Sequence, residues 1–191
     1  MKEELEQQLF KKYPEIFKDT NKSPQESCMA FGLEISDGWY NLIDTLCEAV
    51  TYTFTTSVEI SEEDGKSLGI EPSKWTGEKD RYFFKVEPPQ VVASQVKEKF
   101  GTLRFYYRLE YDENNIKLSE KYADLKNVNK RYSDYIDGII HFAEIASAHT
   151  CEITGDRGQL YVRNGWLKAL SEVKAKELGY KLLENTHEIE D

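Results

Sequence analysis

Residues 102–111, TLRFYYRLEY, decide the fold. Leu103, Phe105, Tyr107, Leu109 and Tyr111 alternate with Thr102, Arg104, Tyr106, Arg108 and Glu110. A period of two puts the first set on one face of an extended strand and the second on the other. The apolar face must be covered by another layer, so the neighbouring segments set the class.

Towards the N-terminus, RYFFKVE (81–87) reads as a second short strand ended by Pro88-Pro89. Pro89 suits the first turn of a helix. Val92, Val96 and Phe100 then share one face of a helix running to about Lys99, with Gly101 as its C-cap. Gly65, Gly69, Pro72 and Gly77 stand among charges, so about 55–80 reads as a surface insertion. Asp37 caps a helix over 37–54 whose apolar face is Trp39, Leu42, Ile43, Leu46, Cys47 and Val50. The β-branched and aromatic run TYTFTTSVEI leaves a strand open at its end. Residues 2–18 form an amphipathic helix on Leu5, Leu9, Tyr13 and Phe17, with a new turn at Pro14.

Towards the C-terminus, Asp112 to Asn115 is a turn. A long helix follows over roughly 119–149, with Tyr122, Leu125, Tyr132, Ile136, Ile139, Ile140, Ala143 and Ala146 in one stripe. Cys151 to Gly158 is a turn, Gln159 to Val162 a short strand, and Trp166 to Leu178 a helix. Residues 184–191 are an acidic tail. The chain thus reads as α+β. A small, mainly antiparallel sheet on 81–87 and 102–111 is packed by helices at 37–54, 89–99 and 119–149. A core domain spans 1–150 and a small module spans 151–183. The long helix implies self-association, most simply a homodimer.

Composition bounds the function. The 191 residues are 39% hydrophobic and 13% aromatic, enough for a real core. A net charge of -10 argues against duplex nucleic acid, which is gripped by clustered Lys and Arg. Cys28, Cys47 and Cys151 are odd in number and widely spaced, which points to a reducing compartment. The charged N-terminus lacks the apolar stretch of a secretory leader, and no apolar run has the length of a membrane span.

Three segments, SDGWYNLIDTLC (36–47), VKEKFGTLRFYY (96–107) and AEIASAHTCEITGDRGQLYVRNGWLKAL (143–170), together resemble a family of small proteins from tailed-bacteriophage genomes. The resemblance implies a phage accessory protein working in the host cytoplasm. It also implies a zinc-knuckle-like C-terminal module built on a Cys-x-x-Cys pair and a Cys-x-x-His pair. Here Cys151 matches the first ligand, whereas Thr154, Ser171 and Lys174 stand at the other three. One thiolate and a cationic Lys cannot hold zinc, so the module is expected to keep the shape without metal, held by Leu160, Val162, Trp166, Leu167 and Leu170.

The candidate site is the polar strand face and the segment before it: Lys97, Lys99, Arg104, Tyr106 and Arg108. Two guanidiniums flanking a phenol can pair phosphate oxygens and stack a base. Equally, they can form a solvated face paired with local Glu. Trp39 and Tyr40, opening a helix, are added as anion-site candidates, although Asp37 as a cap and Trp39 as core explain them as well. Glu144, His149 and Glu152 are the only acid/base set. No phosphate loop, dinucleotide fingerprint or paired-His motif occurs, so no cofactor is expected. The expected function is non-catalytic: sequestering a host nucleotide immune signal of the cyclic dinucleotide or cyclic ADP-ribose type. Open alternatives are an acidic module that inhibits a host protein or serves phage assembly, and a nucleotide phosphodiesterase using Glu144 and His149.

Overall fold

The computed structural model describes residues 1–72 and 80–183. In chain order the elements are α1 (Glu3–Lys12), β1 (Leu33–Glu34), α2 (Tyr40–Thr51), β2 (Thr56–Ile60), α3 (Glu62–Ser67), β3 (Tyr82–Val86), β4 (Gln90–Lys99) and β5 (Thr102–Glu110). They continue as α4 (Glu113–Lys121), α5 (Ala123–Ser147), β6 (Gln159–Arg163), β7 (Trp166–Leu170), α6 (Glu172–Leu178) and β8 (Lys181–Leu182). The strands form three small sheets, ordered β1-β4-β5, β2-β3 and β7-β6-β8. All pairings are antiparallel except β1 with β4. The fold is α+β. The acidic tail expected at 184–191 and part of the expected insertion, 73–79, lie outside the described residues. No described helix is long and apolar enough to cross a membrane.

The expected helix at 89–99 is instead β4. Its register pairs Val96 with Phe105 and Glu98 with Leu103, and Val91, Ala93 and Val96 enter the core beside Leu103 and Phe105. A bulge between Ala93 and Gln95 changes which residues of β4 face the core. Spacing by four at Val92, Val96 and Phe100 imitates a helical face, but pairing satisfies the backbone of both strands and buries more apolar surface. Gly101 is no helix cap. Phe100 (φ 55°) and Gly101 (φ 76°) are the two central residues of a tight hairpin turn of the primed kind that joins adjacent antiparallel strands.

β3 does not join β5. It pairs with β2, and Val58, Ile60, Tyr82, Phe84 and Val86 build a second core with Leu118, Leu125 and Tyr132. Residues 56–60 are therefore integral and not part of a surface insertion. The long helix is interrupted at Tyr122, whose backbone is extended (φ -110°, ψ 110°), and Asp112 caps the preceding α4 by accepting the Asn115 N–H at 2.8 Å. The expected helix over Trp166 to Leu178 is strand β7 followed by the short α6. Asn164-Gly165, with φ 52° and 81°, makes another hairpin turn of the same kind.

β5 is an edge strand, and α5 closes that edge. Ser147 Oγ accepts the Leu103 N–H at 2.8 Å and Glu144 Oε1 accepts the Phe105 N–H at 3.0 Å. Further along, the Tyr107 hydroxyl donates to Asp137 and the Tyr111 hydroxyl donates to Asn129 O at 3.1 Å. Helix side chains thus take two of the β5 N–H groups that a further strand would otherwise pair. The main core lies where α1, α2 and α5 pack on the β1-β4-β5 sheet, with Trp39, Ile43, Leu103 and Ile136 fully buried.

Two of the familiar segments close on each other. The Gly38 N–H donates to Glu152 O and the Trp39 indole N–H to Thr150 O, both at 2.9 Å. A Cβ at Gly38 would lie 2.3 Å from Cys151 O and 2.5 Å from Gly155 N. Only glycine permits this approach, which joins the C-terminal module to the main core.

Candidate functional site

The outer face of the β4–β5 hairpin gathers most of the expected residues. Cross-strand pairs place Gln95 beside Tyr106, Lys97 beside Arg104 and Lys99 beside Thr102. Lys97 Nζ lies 5.4 Å from the Tyr106 ring centroid, and Tyr106 is 44% exposed. Arg104 Nη1 donates to Thr102 Oγ1 and Leu103 O, each at 2.7 Å. Among the described residues, no carboxylate forms an ion pair with Lys97, Lys99 or Arg104. The one carboxylate of β1 nearby, Glu34, accepts from Gln95 Nε2 at 3.0 Å.

Arg108 is lost to this site. The segment before β1 folds over its end of the face: the Ala93 N–H donates to Ile16 O at 2.8 Å, and Val92, opposite Arg108, is fully buried. There Arg108 clamps the buried Asp19 through both Nη atoms and also donates to Glu110 at 2.8 Å. Its guanidinium holds the Asp19 carboxyl below the ordinary aspartate value, against the desolvation that would raise it. Lys22 and Lys18 complete the network on Asp19 and Glu110. Two free guanidiniums on one strand do not exist here; one is structural.

Trp39 and Tyr40 also leave the site. Trp39 is core. Tyr40 is half-buried and its hydroxyl meets Gln8 Oε1 at 3.2 Å. The acid/base set is dispersed: Glu144 serves the β5 edge, His149 is exposed, and Glu152 is buried with Oε1 on Lys168. Among the described residues Glu152 Oε2 has no hydrogen-bond partner, and burial pushes that carboxyl above its usual value.

The sequence reading missed the tip of the hairpin. Phe100 and Trp166, 66% and 75% exposed, stand at the turns of β4–β5 and β6–β7. Between these turns is a cleft of about 440 Å³ lined by Glu98, Lys99, Phe100, Asn164, Gly165, Trp166 and Leu167. Lys99 Nζ lies 5.3 Å from the Phe100 ring centroid, and Glu98 Oε1 accepts the Gly101 N–H. Phe100 occupies a left-handed position that favours Asn, Asp or Gly, at a cost of about 1–2 kcal/mol. An aromatic side chain held at that cost is nevertheless mostly exposed. The detectable signals were the turn dipeptide Asn164-Gly165 and the unpaired Phe100-Gly101.

The knuckle positions do converge. Burial works to raise the Cys151 thiol pKa. Hydrogen bonds from the Thr154 hydroxyl and from the Ser171, Thr154 and Ile153 N–H groups outweigh it, and the thiol falls below its usual value. Lys174 Nζ pairs with Glu177 at 2.6 Å, which holds its pKa above the ordinary lysine value, with Cys151 a smaller influence. One thiol, two hydroxyls and an ammonium do not make a zinc site, and the described residues contain no His, Cys, Asp or Glu cluster suited to a metal. Cys151, Tyr161, Leu170 and Ala175 form the module's small core. Trp166, expected to support it, points to solvent.

Comparison with protein-family models, with curated proteins and with solved structures returns no match.

Proposed function

We propose that the protein is a non-catalytic binding protein for a compact, phosphate-bearing ligand with a flat ring, a nucleotide being the natural class. The reading rests on one observation. Among the described residues Lys97, Lys99 and Arg104 carry no carboxylate partner, on a chain of net charge -10, and their row leads to a cleft flanked by two exposed aromatic rings. Arg104 and Lys97 pair phosphate oxygens, while Phe100 and Trp166 stack the ring. A small ligand avoids the long-range repulsion that an acidic chain imposes on a polyanion. Neither Glu144 nor His149 lines the cleft, so binding without cleavage is favoured over phosphodiesterase activity. Taken with the phage-like segments, the proposed role is sequestration of a host cyclic nucleotide signal in the host cytoplasm.

Calorimetry with a panel of cyclic dinucleotides and cyclic ADP-ribose isomers tests this. Tight binding, with intact ligand recovered by chromatography, is expected. Trp166→Ala should weaken binding about tenfold, since stacking contributes ~1–3 kcal/mol. Arg104→Ala should weaken it further, and Arg108→Ala should change stability alone. No heat with any member of the panel overturns the proposal.

A further inference from the structure

The stripe on α5 that suggested self-association is spent on the chain's own cores: Leu125, Tyr132, Ile136, Ile140 and Ala143 are all buried. A different face of the same helix remains uncovered. Tyr135, Phe142 and Ile145 are 44%, 72% and 51% exposed, and Gly138 lies between them. With Arg131 they follow the spacing 131, 135, 138, 142, 145, alternating four and three, which is the seam of a coiled coil. Beside this seam lies a groove of about 580 Å³ whose other wall is Leu42, Leu46 and Ala49 of α2.

We infer that this face binds a second copy of the chain, with α5 antiparallel to its twin about a two-fold axis near residue 140. The face is self-complementary. In that register Gly138 faces Phe142 of the twin, and Tyr135 faces its Ile145, so every large residue meets a smaller one and each contact occurs twice. Gly138 supplies the hole. A Cβ there would meet nothing within 4 Å in one copy, so packing inside the chain does not require glycine. Mid-helix glycine is nevertheless unfavourable, and close approach of another helix is what its small size permits. The area agrees with weak association. The face is about 25 Å long over residues 131–147 and about 20 Å wide with α2 alongside. That gives on the order of 1,000 Å² for two copies, at the lower edge of specific interfaces.

Sedimentation of the intact chain over a wide concentration series tests the inference. A monomer–dimer equilibrium in the micromolar range is expected. Phe142→Glu, at an exposed position, and Gly138→Leu, which fills the hole without touching the monomer's packing, should each leave a folded monomer. With Cys28 replaced by Ser, the Tyr135→Cys/Ile145→Cys double variant should form disulfide-linked dimers on mild oxidation. Tyr135→Cys alone should not, because position 135 lies five residues from the axis and its two copies stand about 15 Å apart. A chain that stays monomeric throughout, a dimer insensitive to both single substitutions, or cross-linking by Tyr135→Cys alone overturns the inference.

Discussion

Ser147→Ala tests the closure of the β5 edge. Ser147 and Leu103 are both fully buried, and Ser147 Oγ accepts the Leu103 N–H while donating to Glu144 O. Removing the hydroxyl strands a buried backbone donor, which costs about 1–3 kcal/mol. Alanine returns about 0.5 kcal/mol through its better helix propensity. The net loss is therefore about 0.5–2.5 kcal/mol, read as a lower urea midpoint. Each kcal/mol lowers Tm by about 2–4 °C in a chain of this size. Hydrogen exchange gives the local readout: the Leu103 amide should lose protection, while the amides of β4 paired across the sheet keep theirs. Glu144→Gln, which preserves an acceptor for Phe105, should cost less than Glu144→Ala. Unchanged stability together with a protected Leu103 amide in Ser147→Ala would refute the view that helix side chains stand in for a missing strand.

Three other perturbations follow from single contacts. Gly38→Ala must push the start of α2 off the Cys151–Gly155 turn, where backbone atoms stand 2.3–2.7 Å from the new Cβ. A loss above about 2 kcal/mol and earlier proteolysis of the C-terminal module are expected, and a neutral effect would show that the joint yields freely. Asp19→Asn removes a carboxylate whose folded pKa is depressed, chiefly by Arg108. Its stabilisation is present above the unfolded value of about 3.9 and is lost as pH falls through the folded value. The variant should be about 1.5–3 kcal/mol weaker at neutral pH, the range for hydrogen bonds to a charged group, and urea titrations should show the gap closing on acidification; a gap constant with pH contradicts the assignment. Glu152→Gln should hold or raise stability at neutral pH in the same titrations, because it relieves a buried charge whose Oε2 has no partner. A marked loss would mean that the Lys168 pair outweighs that penalty.

Local pattern carried much of this protein. Alternation in 102–111 defined β5, periodicity defined α2 and most of α5, and the shared face of Arg104 and Tyr106 was legible because it needs only strand geometry, whereas Lys97 was read on a helix and joins that face only through the pairing of β4 with β5. The sequence reading failed where a pattern was short or ambiguous. Val92 and Val96 fit a helix as well as a bulged strand, and Phe100 hid a turn that Asn would have announced. The cleft at Phe100 and Trp166 was out of reach, since its walls are about 65 residues apart in sequence and meet only when two hairpins pack.

What the chain alone determined was which residues can point the same way: that depends on a period of two or 3.6 and on nothing distant. Tertiary structure decided which of them stay available. Arg104 and Arg108 are equivalent in the alternation, yet only Arg108 is closed off, by a carboxylate 89 residues earlier in the chain. Charge neutralisation acts through space between groups a few ångströms apart, and no local period encodes that distance.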